Sequence, residues 1–204
     1  MSAAAIEQPC DDEPFSLTAI ADEIMERHPG YRVEIIGGHL LVTSSPDAPH
    51  AIVLTDLMLP FLAAGLHGEE SKVAQNVALW LPTGPEDYAI PDLSVLDADI
   101  NDHLVENNAY DPICFRLVLE VTSSNWRDDL KTKVAAYAEA KVPVYVVVDR
   151  RHQRLHVLTE PAGSVYNSHR IHAPGETVSL PATIGPEVTL DVAQIIKAGQ
   201  KKPS

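Results

Sequence analysis

The chain has 204 residues, 45% hydrophobic and 22% charged, which is enough for one domain with a real core and points to a soluble globular class. No apolar run is long enough to span a bilayer, the acidic N-terminus lacks the basic start of a signal peptide, and Cys10 and Cys114 form no metal spacing, so a reduced cytoplasmic protein is expected. A net charge of −14 argues against general affinity for nucleic acid, though a local basic strip would be compatible with it.

Taken in order, residues 1–14 are small, acidic and Pro-containing and are expected to be a disordered lead-in. Ser16 can cap a helix that places Leu17, Ile20, Ala21, Ile24 and Met25 on one face, with Gly30 ending it. Tyr31–Ile36, Gly37-Gly38 and His39–Thr43 predict a tight hairpin. A loop precedes a second helix from about Pro49 to Ala64, which Pro60 should kink. Val73–Leu81 includes an alternating run at Val77, Leu79 and Leu81, and Thr83–Tyr88 is a turn. Ile90–Leu96 predicts a strand whose first residues include Pro91 and Asp92, since Pro is tolerated at a strand start. Asp97–Pro112 is polar and irregular.

The central stretch, Phe115–Asp149, carries a strand-helix-strand pattern. Phe115, Leu117, Leu119 and Val121 alternate with Arg116, Val118 and Glu120; a turn covers Thr122–Asn125; Leu130, Val134, Tyr137 and Ala138 recur at helical spacing after Asp128 and Asp129; Pro143 stops that helix. Val144–Val148 is apolar throughout, as a strand covered on both faces would be, and such a unit makes a right-handed parallel crossover. Beyond Asp149 the pattern is meander-like: Arg154–Thr159, a Pro-Ala-Gly turn, Val165–His172, Thr177–Leu180, then a closing helix over Asp191–Ala198 and a tail. The expected fold is α/β: a mixed sheet flanked by helices, with an antiparallel β extension on the C-terminal side, forming one domain over 15–198.

Two carboxylates stand near strand ends, Asp92 and Glu120, and Lys133 follows on the next helix. If the strands are neighbours, the acids can converge on a hard divalent ion such as Mg²⁺ or Mn²⁺, which takes oxygen ligands. Such an ion polarises a phosphoryl oxygen, and a nearby ammonium stabilises developing charge or orients water. Blander roles stand beside these. Asp92 can be a turn acid, Glu120 can pair with Arg116, and Lys133 can pair with Asp129 at the favoured helical spacing. His50 can cap or be solvated, Glu34 can lie on the surface beside Arg32, and Tyr137 suits a core position. Arg127, Lys131, Lys133, Lys141, Arg150, Arg151 and Arg154 could contact DNA or form a solvated rim, and at 5% aromatic content no base-stacking platform is advertised.

Six pieces in order carry a resemblance from roughly Tyr31 to Ile196: Val33-Glu34-Ile35-Ile36-Gly37-Gly38; His50 after a Ser-Pro loop; Pro91-Asp92 opening a strand; Leu119-Glu120-Val121-Thr122-Ser123; Asp129-x3-Lys133-x3-Tyr137; and Val142-Pro143-x-Tyr145-x3-Asp149. The chain resembles the Uma-type family of restriction-endonuclease-like proteins within the PD-(D/E)XK nuclease superfamily. The resemblance implies a metal-dependent endonuclease that hydrolyses phosphodiester bonds in DNA and works as a homodimer. By it, Asp92 and Glu120 would be metal ligands, and Glu34 and His50 would border the site. Thr122 stands where the superfamily pattern calls for lysine, so the resemblance implies that Lys133 serves from the helix. At Lys141-Val142 relatives more often carry Gly. The alternative is a non-catalytic binding or assembly module that has kept the fold.

Overall fold

The computed structural model describes residues 16–122 and 127–200. The expected lead-in, the turn beyond Thr122 and the last four residues of the tail lie outside these. Ser16 caps α1 (Leu17–Arg27) through its side chain, and a hairpin of β1 (Arg32–Ile36) and β2 (His39–Thr43) follows. Both turn glycines take positive φ, at 60° and 71°, and the buried Asp87 carboxylate accepts their two N–H groups. Helix α2 (Ala48–Ala63) is capped by Asp47 and contains Pro60.

The chain then departs from the expected order. The stretch read as Val73–Leu81 is two strands, β3 (Ser71–Ala74) and β4 (Ala78–Trp80), which join different sheets. The break falls at Asn76, whose φ of 55° no continuous strand can hold. The turn read over Thr83–Tyr88 ends in a short strand, β5 (Tyr88–Ala89), and the strand read from Ile90 begins only at Leu93, as β6 (Leu93–Asp97). The segment read as irregular holds β7 (Leu104–Glu106) and β8 (Ala109–Tyr110), joined at Asn107-Asn108, both at positive φ. These strands are too short for period-2 alternation to register.

The central unit forms as expected: β9 (Phe115–Val121), α3 (Lys133–Glu139) and β10 (Val144–Asp149), with β9 and β10 parallel. Then come β11 (Arg154–Ala162), β12 (Val165–His172), β13 (Thr177–Ser179), β14 (Thr189–Asp191) and α4 (Val192–Ala198). Strand β11 runs through the Pro-Ala pair read as a turn, and β14 is an element the sequence pattern did not advertise.

One six-stranded sheet runs β12-β11-β10-β9-β6-β3 and the other β2-β1-β5-β4-β8-β7. Each is mixed, with one parallel pair, β9–β10 and β4–β8 respectively. On one face of the first sheet Leu117, Leu119, Val146 and Val148 pack with Val53, Leu57 and Phe61 of α2 and Ile195 and Ile196 of α4. The opposite face meets α3 and the second sheet, joining Val118, Val147 and Tyr145 to Tyr137, Leu79 and Leu81. Helix α1 covers Val33, Ile35 and Tyr88. Strand β9 is therefore covered on both faces, which is why Val118 and Glu120 are buried where a half-exposed strand would show them to water.

Helix α3 ends at Lys141, which takes a φ of 59° while the N–H groups of Lys141 and Val142 close on Ala138 and Tyr137. This is a left-handed C-terminal turn, the conformation glycine adopts without penalty. Exposed Lys141→Gly should raise stability by about 1 kcal/mol, read as a higher urea midpoint; an unchanged or lower midpoint would show that Lys141 makes a compensating contact.

Candidate active site

Alternation in β1 sorts its side chains. Val33 and Ile35 go under α1, while Arg32 and Glu34 turn the other way into a cleft of about 1320 Å³ that also reaches His50, Asp92, Glu120, Asp129 and Lys133. Leu93 pairs with Leu119 across β6 and β9, and one further step in that register sets Asp92 opposite Glu120. The Val121 N–H donates to Asp92 Oδ2 at 2.8 Å. All five residues singled out from the sequence thus line one cleft, and all five are buried.

The blander pairings give way to tighter ones. Arg116 donates to Asp97 at 2.5 Å, not to Glu120. Lys133 Nζ lies 3.8 Å from Asp129 but 2.7 Å from Glu120 Oε1 and 2.9 Å from Glu34 Oε1. Glu34 is not on the surface: its Oε1 also accepts the Ile90 N–H at 2.7 Å. Tyr137 is core, as expected, but its hydroxyl donates to Glu120 Oε1 at 2.9 Å. His50 is buried, with Nε2 3.3 Å from Asp92 Oδ2. Its Nδ1 is buried and has no hydrogen-bond partner among the described residues.

Two participants were missed. Arg32 donates to Asp92 Oδ1 at 2.8 Å, and its alternation with Val33 was the available signal. Asp129, read as a first-turn helix acid paired with Lys133, is buried. It lies in a wide, π-type turn, Asp128–Thr132, that leads into α3, and its carbonyl accepts from the Tyr145 hydroxyl at 2.8 Å. A π-type turn rotates the residues that follow relative to a regular helix and frequently marks a functional site. Here Tyr145, from the neighbouring strand, occupies the carbonyl within the wider turn.

Thr122 holds a backbone position: its hydroxyl accepts the Arg150 N–H at 3.0 Å. Arg150 in turn grips both oxygens of Asp47, at 3.0 and 3.2 Å, and donates to the Gly199 carbonyl at 2.9 Å. Since Asp47 caps α2 and accepts the His50 N–H at 3.0 Å, this clasp fixes the turn that carries His50 to Asp92.

The charges in the cleft are unequal. Burial pushes the Asp92 carboxyl up, but His50, Arg32 and the Val121 N–H outweigh it and hold the group well below the usual carboxylate range. Burial drives Glu120 well above that range; Lys133 opposes the shift, and Asp92 and Asp129 add to it. Asp129 is pushed up to about 6, again chiefly by burial. Burial disfavours the Lys133 ammonium, yet Glu120, Glu34 and Asp129 keep it charged. A group with a raised folded-state pKa binds more protons folded than unfolded, so its stabilising share is full below the unfolded value and lost as pH rises through the folded one. Between pH 3.8 and about 6 Asp129 should therefore contribute a fall in stability with rising pH. Asp129→Asn should flatten that part of the stability–pH curve, followed by thermal melts; an unchanged slope would assign it to another group.

Asp92, Glu34, Glu120 and Asp129 face two permanent cations, Arg32 and Lys133; burial favours the protonated forms of Glu120 and Asp129, and a bound cation would favour their ionised forms. A set of carboxylate oxygens fits a hard divalent cation in donor type. Among the described residues, no group of three or more His, Cys, Asp or Glu side chains is already arranged to hold a metal ion.

A mixed sheet that delivers carboxylates from neighbouring strand ends and a lysine from the next helix defines a restriction-endonuclease-like α/β fold. A crystal structure from Anabaena variabilis, described as "a putative nuclease belonging to DUF820", matches it with a TM-score of 0.65 over 87% of this chain and 98% of that chain, at 13% identity. A family profile described as "Putative restriction endonuclease" matches residues 21–193, and the chain belongs to that family, Uma2. No curated protein matches the chain.

Proposed function

We propose that the protein is a metal-dependent endonuclease acting on phosphodiester bonds in DNA. The observation that carries this reading is the convergence of four buried carboxylates and Lys133 on one cleft, in a chain of the Uma2 family. Asp92 and Glu120 would hold Mg²⁺ or Mn²⁺. When bound, the ion would supply Lewis-acid polarisation of a phosphoryl oxygen and a more acidic water. Lys133, held charged by its carboxylate neighbours, offers N–H donors to charge developing on the phosphate. Tyr137 and Lys133 fix the Glu120 carboxylate through Oε1. Arg32 and His50 fix Asp92, and Glu34 seats the lysine. Arg151 also lines the cleft wall, while the Arg150 guanidinium is committed to Asp47 and Gly199. A homodimer in the cytoplasm, bringing two clefts to two strands, completes the reading.

The test is calorimetric titration of Mn²⁺ into the purified chain, followed by plasmid nicking with and without metal and sedimentation for the dimer. Saturable binding with metal-dependent nicking supports the reading. Absence of both favours a second one, a non-catalytic module on the same fold. One observation speaks for that alternative: Lys133 already pairs with Glu120 and Glu34 at 2.7 and 2.9 Å, as in a purely structural buried ion cluster.

A further inference from the structure

A second cavity, of about 390 Å³, opens beside the carboxylate cleft. The two share Met25, Asn76 and Ile90 as wall residues. Arg32, on the cleft side, ties the shared wall to the carboxylates: its Nη1 donates to Asp92 Oδ1 at 2.8 Å and to Asn76 Oδ1 at 3.4 Å.

The lining of the smaller cavity differs in kind from that of the larger. Its one charged residue among the described ones is Asp22, an exposed acid on α1, so phosphate and carboxylate ligands are repelled. Asn76, Asn107 and Asn108 bring three amides, and Tyr88 and Tyr110 bring two phenol rings. Those three asparagines are also three of the six non-glycine residues at positive φ among the described residues. The backbone alone would be best served there by glycine, and asparagine keeps that conformation while adding a donor and an acceptor at each turn. The Tyr88 hydroxyl stays protonated, because burial, Asp22 and Glu34 push its pKa up to about 12.

Amides that pair donor with acceptor, a carboxylate that accepts from amino groups and flanking aromatic rings suit the edge and faces of a neutral heterocycle. The volume falls within the range of small-molecule pockets. We propose that this cavity is a base-reading pocket, which takes an unpaired nucleobase next to the phosphate that a metal ion at Asp92 and Glu120 would engage. Its place on a nucleic-acid strand rests on the nuclease reading; its chemistry does not. Asp22 and the carbonyls of Asn107 and Asn108 give it a preference for bases with an exocyclic amino group over thymine, the Asn76 carbonyl being taken by Arg32.

The experiment uses nucleosides, which carry no phosphate and need no metal, so its result is independent of whether the carboxylate cleft cuts anything. Deoxyadenosine, deoxyguanosine, deoxycytidine, thymidine and deoxyribose are each added to the full chain and followed by saturation-transfer NMR. At least one amino-bearing base should show transfer to its ring protons above thymidine and deoxyribose. Asn76→Gly with Asn108→Gly, which removes two amides and keeps positive φ, should weaken that binding by about ten-fold. Asp22→Ala, at an exposed helix position, should weaken it as well and serves if the double variant does not fold. The proposal is overturned if no base exceeds deoxyribose, if thymidine matches the amino-bearing bases, or if a folded variant binds as the parent does. A chain that bound nucleosides but neither Mn²⁺ nor DNA would keep the pocket and lose the nuclease.

Discussion

Glu120→Gln should abolish metal-dependent cleavage and lower Mn²⁺ affinity by at least about 100-fold while the chain stays folded. The substitution removes one negative charge and little else. The hydrogen bonds from Lys133 and Tyr137 both fall on Oε1, and the glutamine carbonyl can accept both. Lys133 keeps Glu34 at 2.9 Å, so it is not stranded. Burial already makes the Glu120 charge unfavourable, so neutralising it should change folding stability by no more than about 1 kcal/mol. Circular dichroism and calorimetry on parent and variant separate the outcomes. Unaltered Mn²⁺ binding in the folded variant would remove Glu120 from the ligand set and turn the balance toward the non-catalytic module.

Lys133→Met should do the opposite, harming the fold before the chemistry. Glu120, Glu34 and Asp129 would share a buried cleft with their nearest cation gone, and breaking such a group costs about 3–5 kcal/mol near neutral pH. Without Lys133, the one neighbour that holds Glu120 down most, its folded-state pKa rises further above the unfolded value. The variant's stability is then greatest near and below the ordinary glutamate pKa and declines as pH rises. At still lower pH the fold loses the contribution of Asp92, whose pKa is depressed, so the informative window runs upward from about pH 4.5. Urea unfolding at several pH values should show the deficit shrinking toward the acid end of that window. Adding Glu120→Gln to Lys133→Met should recover part of the loss, because the two groups are directly coupled. A deficit independent of pH would mean that Lys133 acts by packing its alkyl stem.

The central β9-α3-β10 unit was legible because each of its elements carries a strong local pattern: alternation, helical spacing ended by Pro143, and an apolar run. The same holds for the Ser16-capped helix and the Gly37-Gly38 hairpin, where capping and turn chemistry act within a few residues. The short strands of the second sheet were not legible. Strand β5 has two residues and pairs with β1 and β4 on either side, so its existence depends on partners distant in sequence.

Strand-end acids at 92 and 120 and a helical lysine at 133 were visible as a chemical set, because their residue types suit metal-assisted phosphate chemistry and their order matched the family resemblance, although each also had an ordinary structural role open to it. Which way each one points was not visible. Glu34 read as surface because alternation says only that Arg32 and Glu34 share a face, and the face became interior when the second sheet closed over the first. Asp129 and Lys133 read as a helical pair, and the π-type turn held by Tyr145 left them 3.8 Å apart, with the lysine handed to Glu120 and Glu34.

By itself, then, the sequence determined the strand-helix-strand core, the Gly37-Gly38 turn and the stock of acids and bases, since these depend on side-chain chemistry and near neighbours. Tertiary structure alone decided which carboxylates meet, which cation serves which acid and how far each proton equilibrium moves, because burial and charge pairing arise only when segments far apart in the chain exclude water together.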